Sequence, residues 1–91
     1  MEQINPHAAG IDLGSREVYV SVPNEPVRRY ATFTEDLAQL VAYLVEQKIT
    51  TVAMEATGIY WIVLYDLLEA AGLEVCVVNG AHVRNLSLIH I

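Results

Sequence analysis

The chain has 91 residues, with eleven acidic side chains against five Lys and Arg and a formal charge of −6. That length makes one small domain, able to bury roughly 60–68% of its unfolded surface. The sign of the charge is the opposite of what a free-standing binder of the nucleic-acid backbone normally carries, so any nucleic-acid role has to rest on metal ions or on basic parts outside this chain.

Hydrophobic residues make up 54% of the sequence, high for a small soluble domain. No apolar run reaches the ~18 residues of a membrane span. The opening MEQINPH lacks a basic region followed by an apolar one, so no secretory signal and no membrane association are expected. Cys76 is the single cysteine. It can form no internal disulfide, which fits a reducing cytoplasm.

In chain order, residues 8–14 (AAGIDLG) are short, apolar and Gly-punctuated, as in a buried strand. Gly14-Ser15 reads as a tight turn, with Gly14 free to take positive φ. REVYVSV alternates Val18, Val20 and Val22 against Glu17, Tyr19 and Ser21, a strand with one better-buried face. PNEP (23–26) is a turn, and VRRYATF (27–33) a more polar edge strand. Thr34 suits an N-cap, with Glu35 and Asp36 in the first turn. Leu37, Leu40, Val41, Leu44 and Val45 recur at helical spacing over 35–47. TTVAME (50–55) is a strand ending in Glu55. Thr57-Gly58 turns the chain, and residues 59–72 form a second helix closed by Gly72. LEVCVV (73–78) is a strand, with Cys76 as a small core residue. Asn79-Gly80 is a turn, and AHVRNL reads as the start of a third helix.

The order β-β-β-α-β-α-β, with right-handed crossovers, predicts an α/β fold: a five-stranded mixed sheet of order 3-2-1-4-5 flanked by helices. The first and fourth strands are then parallel neighbours, with Asp12 and Glu55 near their C-terminal ends. Two adjacent carboxylates repel unless a cation offsets them. Mg²⁺ or Mn²⁺ prefers such hard oxygen ligands, and carboxylate clusters holding two metals ~4 Å apart run phosphodiester chemistry. Spacing alone equally allows Asp12 and Glu55 merely to cap turns at strand ends.

The segments "GIDLGSREVYVSV", "VAMEATGIYW" and "VCVVNGAHVRNL" resemble the N-terminal DEDD domain of the IS-one-ten type of insertion-sequence transposases. This family is related to the Piv DNA invertases and has a RuvC-like, RNase H-like fold. The likeness covers residues 9–86. GIDLGS alone is shared with actin-like proteins, whereas MEATGxYW at this distance is specific. The resemblance implies that Asp12 and Glu55 are the first two acidic residues of a catalytic, metal-binding set. It further implies metal-dependent DNA strand cleavage and exchange, with Mg²⁺ or Mn²⁺ as cofactor, DNA as partner and in some members a guide RNA.

In the family a segment like V-R-N-x-P-G-R-K-T-D-x-x-D-A follows and completes the site. Here HVRNL is followed by SLIHI, nothing after Asp66 is an Asp, and Glu74 is the last acidic residue. Residues 1–86 therefore read as a truncated transposase N-terminal domain and 87–91 as an unrelated or frame-changed tail. On this reading the chain is inactive alone and holds metal weakly. Its Leu86, Leu88, Ile89 and Ile91 either form a brief helix on the sheet or promote self-association. Two rival readings are an actin-like nucleotide-binding domain, with Gly14 and Ser15 near the phosphates, and a non-catalytic remnant. Tyr60 and Trp61 could stack on a base or pack between helix and sheet. Arg28 and Arg29 could touch phosphate or be the ordinary charges of an edge strand. His7, His82 and His90 show no metal-ligand spacing.

Overall fold

Side-chain alternation decides which way the sheet faces. The computed structural model describes residues 6–55, 61–79 and 82–85. Its elements are β1 (Ala8–Leu13), β2 (Glu17–Ser21), β3 (Arg28–Ala31), α1 (Thr34–Glu46), β4 (Thr51–Glu55), α2 (Trp61–Ala70), β5 (Glu74–Asn79) and β6 (His82–Asn85). Ala9, Ile11 and Leu13 of β1, Val18 and Val20 of β2, Val52 and Met54 of β4, and Val75 and Val77 of β5 are all buried. Leu37, Leu40 and Leu44 of α1 and Leu64, Tyr65 and Leu68 of α2 meet them to form the core.

The strands run in the order β3-β2-β1-β4-β5-β6. The predicted 3-2-1-4-5 sheet is present: β1 pairs antiparallel with β2 and β2 with β3, while β1, β4 and β5 are parallel. A sixth strand extends it. The segment read as the start of a third helix is β6, antiparallel to β5, with Asn79 and His82 as Cα partners and only residues 80 and 81 between them. Asn-Gly followed by a short return strand is a hairpin signal, and the free edge of β5 offers ladder groups that a nascent helix would leave unpaired.

Both crossovers, β3 to β4 through α1 and β4 to β5 through α2, step in the same direction across the sheet. Right-handed connections therefore place α1 and α2 on one side, where they pack against each other. The opposite face has no cover among the described residues. Asp12, Tyr19, Ser21, Ala53 and Glu55 are exposed there, and Gly10, Cys76 and Val78 are half-buried. The flanking helices that the order of elements predicts are present, and among the described residues they form a one-sided core. Cys76 accordingly belongs to the bare face and not to the core, because Val75 and Val77 take the inward positions of β5.

Local chemistry departs from expectation at three ends. The N-cap of α1 is Phe33, in extended conformation with no side-chain cap, and Thr34 is already helical. The Phe33 carbonyl instead accepts the Leu37 N–H at 2.9 Å. Gly14 does not use positive φ. Its N–H donates to the Glu17 carbonyl at 2.8 Å, and a Cβ there would stand 3.2 Å from that same oxygen, so close approach explains the glycine. The helices share one C-terminal device. The Gly72 N–H donates to Glu69 O and the Leu73 N–H to Leu68 O, while the Lys48 N–H donates to Val45 O and the Ile49 N–H to Leu44 O. Each pair is a Schellman motif. Gly72 (φ 90°) and Lys48 (φ 63°) hold the left-handed position, and Leu73 and Ile49 tuck into the core behind them.

The predicted 23–26 turn forms, with Asn24 at φ 66° and the Glu25 N–H donating to Val22 O at 3.1 Å. The predicted turns at 57–58 and at Gly80, Tyr60 at the start of the second helix, and the tail from Leu86 to Ile91 lie outside the described residues. Trp61 packs against the core.

Candidate functional site

β1 and β4 are neighbouring parallel strands in which Ala8 is level with Thr51 and Asp12 with Glu55. Cα partners on adjacent strands project to the same face. Asp12 and Glu55 thus stand side by side at the C-terminal end of the sheet centre, both exposed. The apparent cost of burying Asp12 in an apolar strand does not arise, because Ile11 and Leu13 turn inward and Asp12 turns outward. Both residues are members of the ladder, Asp12 one residue before the end of β1 and Glu55 at the end of β4.

The row continues on both sides. Asp12 is the partner of Tyr19 on β2, Tyr19 of Arg29 on β3, and Glu55 of Val78 on β5. A second row below it contains Ser21, Gly10, Ala53 and Cys76. Its side chains are small, and an open depression of about 500 Å³ lies over Gly10, Ser21 and Ala53, walled by Tyr19, Val27 and Val78 and rimmed by Asp12 and Glu55. No described atom lies within 4 Å of where a Cβ at Gly10 would sit.

Tyr19 is fixed by its neighbours. Its hydroxyl donates to Glu17 Oε1 at 3.0 Å, and Arg29 Nε lies 3.2 Å from Glu17 Oε2. The hydrogen bond to the Glu17 carboxylate, reinforced by its charge, raises the phenol above its ordinary pKa. Arg28, the other cation of β3, turns the opposite way, its guanidinium 3.8 Å from the centroid of the Tyr43 ring on α1. Of the two arginines only Arg29 shares the face with Asp12 and Glu55. His7 has a structural place. Its carbonyl accepts the Thr50 N–H at 2.8 Å, and its Nδ1 lies 3.0 Å from Lys48 O, tying the start of β1 to the α1–β4 connection.

Exposed carboxylates are hard oxygen donors, the type that Mg²⁺ and Mn²⁺ take, so the chemistry of the pair fits such an ion. The number of donors falls short of a complete centre: no group of three His, Cys, Asp or Glu side chains comes together among the described residues. Glu74 shares the open face, but it is level with Thr51, four residues down β5 from the partner of Glu55, about 13 Å along the strand. Asp66 lies on α2, behind the sheet. Tyr19 escaped notice as a site residue, although the alternation of Glu17, Tyr19 and Ser21 against the valines already put it on the same side as Asp12.

A mixed sheet in this order, flanked by two helices, is the α/β architecture that the resemblance to an RNase H-like domain implies. The sequence matches the family model of the IS110-type DEDD transposases, described as a transposase family, over residues 9–91. The chain belongs to that family. No curated protein sequence matches it significantly. No helix among the described residues is long and apolar enough to cross a membrane.

Proposed function

We propose that this chain forms the first part of the catalytic domain of a DNA transposase acting in the cytoplasm. In this reading Asp12 and Glu55 are two of the ligands for a divalent cation, Mg²⁺ or Mn²⁺. The observation that carries it is the pairing of Asp12 with Glu55 on adjacent parallel strands of the open face. The cation, when bound, would supply charge neutralisation at a phosphodiester and activation of the attacking oxygen. Asp12 and Glu55 hold and orient it. The bare, small-residue surface beside them leaves room for a nucleic-acid strand to approach.

Two carboxylates leave Mg²⁺ mostly hydrated, so affinity is weak. The remaining acidic ligands that the family resemblance implies are to be supplied from outside these residues, and a structured RNA is the partner that would guide target choice. The chain alone should therefore not cut DNA, and its charge of −6 disfavours the phosphate backbone. The test is incubation with supercoiled plasmid and Mg²⁺ or Mn²⁺, beside an Asp12→Ala control. Absence of nicking is expected from both. Nicking by the unaltered chain that the variant lacks would mean that the centre is complete without further ligands.

A further inference from the structure

We infer that Tyr19 is a base-stacking wall of this site: a single DNA strand laid across the open face places one unpaired base in the depression against the Tyr19 ring, with Arg29 beside it for a backbone phosphate. The inference rests on the reading of the chain as a DNA transposase domain.

Arg29, Tyr19, Asp12 and Glu55 are successive Cα partners across β3, β2, β1 and β4. A cation, an aromatic ring and an acidic pair thus form one line, roughly 14 Å long at the usual strand spacing. Proteins that hold single strands use this combination of a cationic track and aromatic platforms. Tyr19 has no part in the core and is 40% exposed. Its polar end is already held by Glu17, which Arg29 also holds, so the ring is oriented with its hydroxyl satisfied. Next to it, Gly10, Ser21 and Ala53 present almost no side chain, and nothing described occupies the space above Gly10. The volume of about 500 Å³ lies within the usual ~300–1,000 Å³ of small-ligand sites. A flat ring fits a flat floor with one aromatic wall. A branched aliphatic ligand would gain little from it.

The experiment is a two-dimensional NMR titration of the full chain with a short single-stranded oligodeoxynucleotide in Mg²⁺. Salt is kept at roughly 0.15 M, so that repulsion by the net charge is confined to ~8 Å. Tyr19→Ala, Tyr19→Phe and Asp12→Asn are titrated alongside, each first shown to keep its dispersed spectrum. Shifts are expected at Gly10, Tyr19, Ser21 and Ala53. Tyr19→Ala should weaken binding at least about fivefold, the lower end of what a base–aromatic stack contributes, and Tyr19→Phe should restore it. Equal binding by Tyr19→Ala and the unaltered chain overturns the role of Tyr19 while leaving the DNA reading intact, provided Asp12→Asn binds less well. No binding by any form overturns the strand-holding role of the open face.

Discussion

Replacing Asp12 by Asn should stabilise the chain in the absence of metal and abolish its response to metal. Asp12 and Glu55 are level on adjacent strands, which are ~4.8 Å apart, so their charges lie on the order of 5–6 Å from each other. Both side chains are exposed, and the dielectric near them is close to that of water. Coulomb's law then gives a repulsion of about 0.8 kcal/mol, roughly halved by physiological salt. Asn keeps the shape and removes the charge. For a domain of this size ~0.4–0.8 kcal/mol corresponds to a rise in Tm of about 2–6 °C. In the unaltered chain, Mg²⁺ at ten times its dissociation constant would stabilise by RT ln 11, about 1.4 kcal/mol. Thermal melts followed by circular dichroism, in EDTA and over a Mg²⁺ series, measure both effects. If the Asn variant melts lower in EDTA, or if Mg²⁺ raises both proteins equally, the two carboxylates do not share an ion.

Four further substitutions have expected outcomes in melts or chemical denaturation. Lys48→Gly should stabilise by about 0.5–1 kcal/mol, since the left-handed conformation costs a non-glycine residue ~1–2 kcal/mol and part of the gain is lost to unfolded-chain entropy; Gly72→Ala should destabilise by a similar amount, and a shift of the same sign from both changes would contradict the shared Schellman geometry. Leu40→Ala, at a position with 0% exposure, should cost about 2–5 kcal/mol in chemical denaturation, and a loss below 1 kcal/mol would place α1 off the sheet. Gly10→Ala should be neutral or stabilising by up to about 1 kcal/mol, because space is open above it; a clear destabilisation would show that something covers that face.

Much of the sheet could be read from the residues because its signals are local and repetitive. Val18, Val20 and Val22 announce one buried face, and the order of strands and helices suggests a sheet in which β1 and β4 are parallel neighbours, the pairing that the structure has. The juxtaposition of Asp12 and Glu55 follows from those two steps. What could not be read depended on parity or on non-local partners. AAGIDLG looks uniformly buried because Gly10 counts as apolar, yet Gly10 has no side chain to bury and Asp12 shares its side of the strand. Cys76 sits between Val75 and Val77 and has to face away from the core they enter. Lys48 hides a glycine position, because the Leu44–Ile49 closure holds it in the left-handed region regardless of its side chain. The β6 hairpin was signalled by Asn79-Gly80, but a strand of only four residues, His82–Asn85, has too little alternation to outweigh a helical reading.

The open face and the acidic pair have one cause. Because β1, β4 and β5 are added in a single direction, right-handed connections put every helix of the described chain on one side and leave the other bare. Strand alternation then assigns each residue to one side or the other. Ile11 and Met54 are 3% and 0% exposed, and the residues that follow them, Asp12 and Glu55, are sent outward by the same two-residue period. A slip of one residue in either strand would bury a carboxylate and expose a core side chain, so the core enforces the register of the site. The well-packed positions adjoining Asp12 and Glu55 are therefore what hold the two carboxylates level. A cavity at Met54 should loosen the site as well as the fold, and one at the remote Leu64 of α2 should affect the fold alone. Comparing the Mg²⁺ response of Met54→Ala and Leu64→Ala at matched stability separates the two effects, and an identical response from both would break the link between register and site.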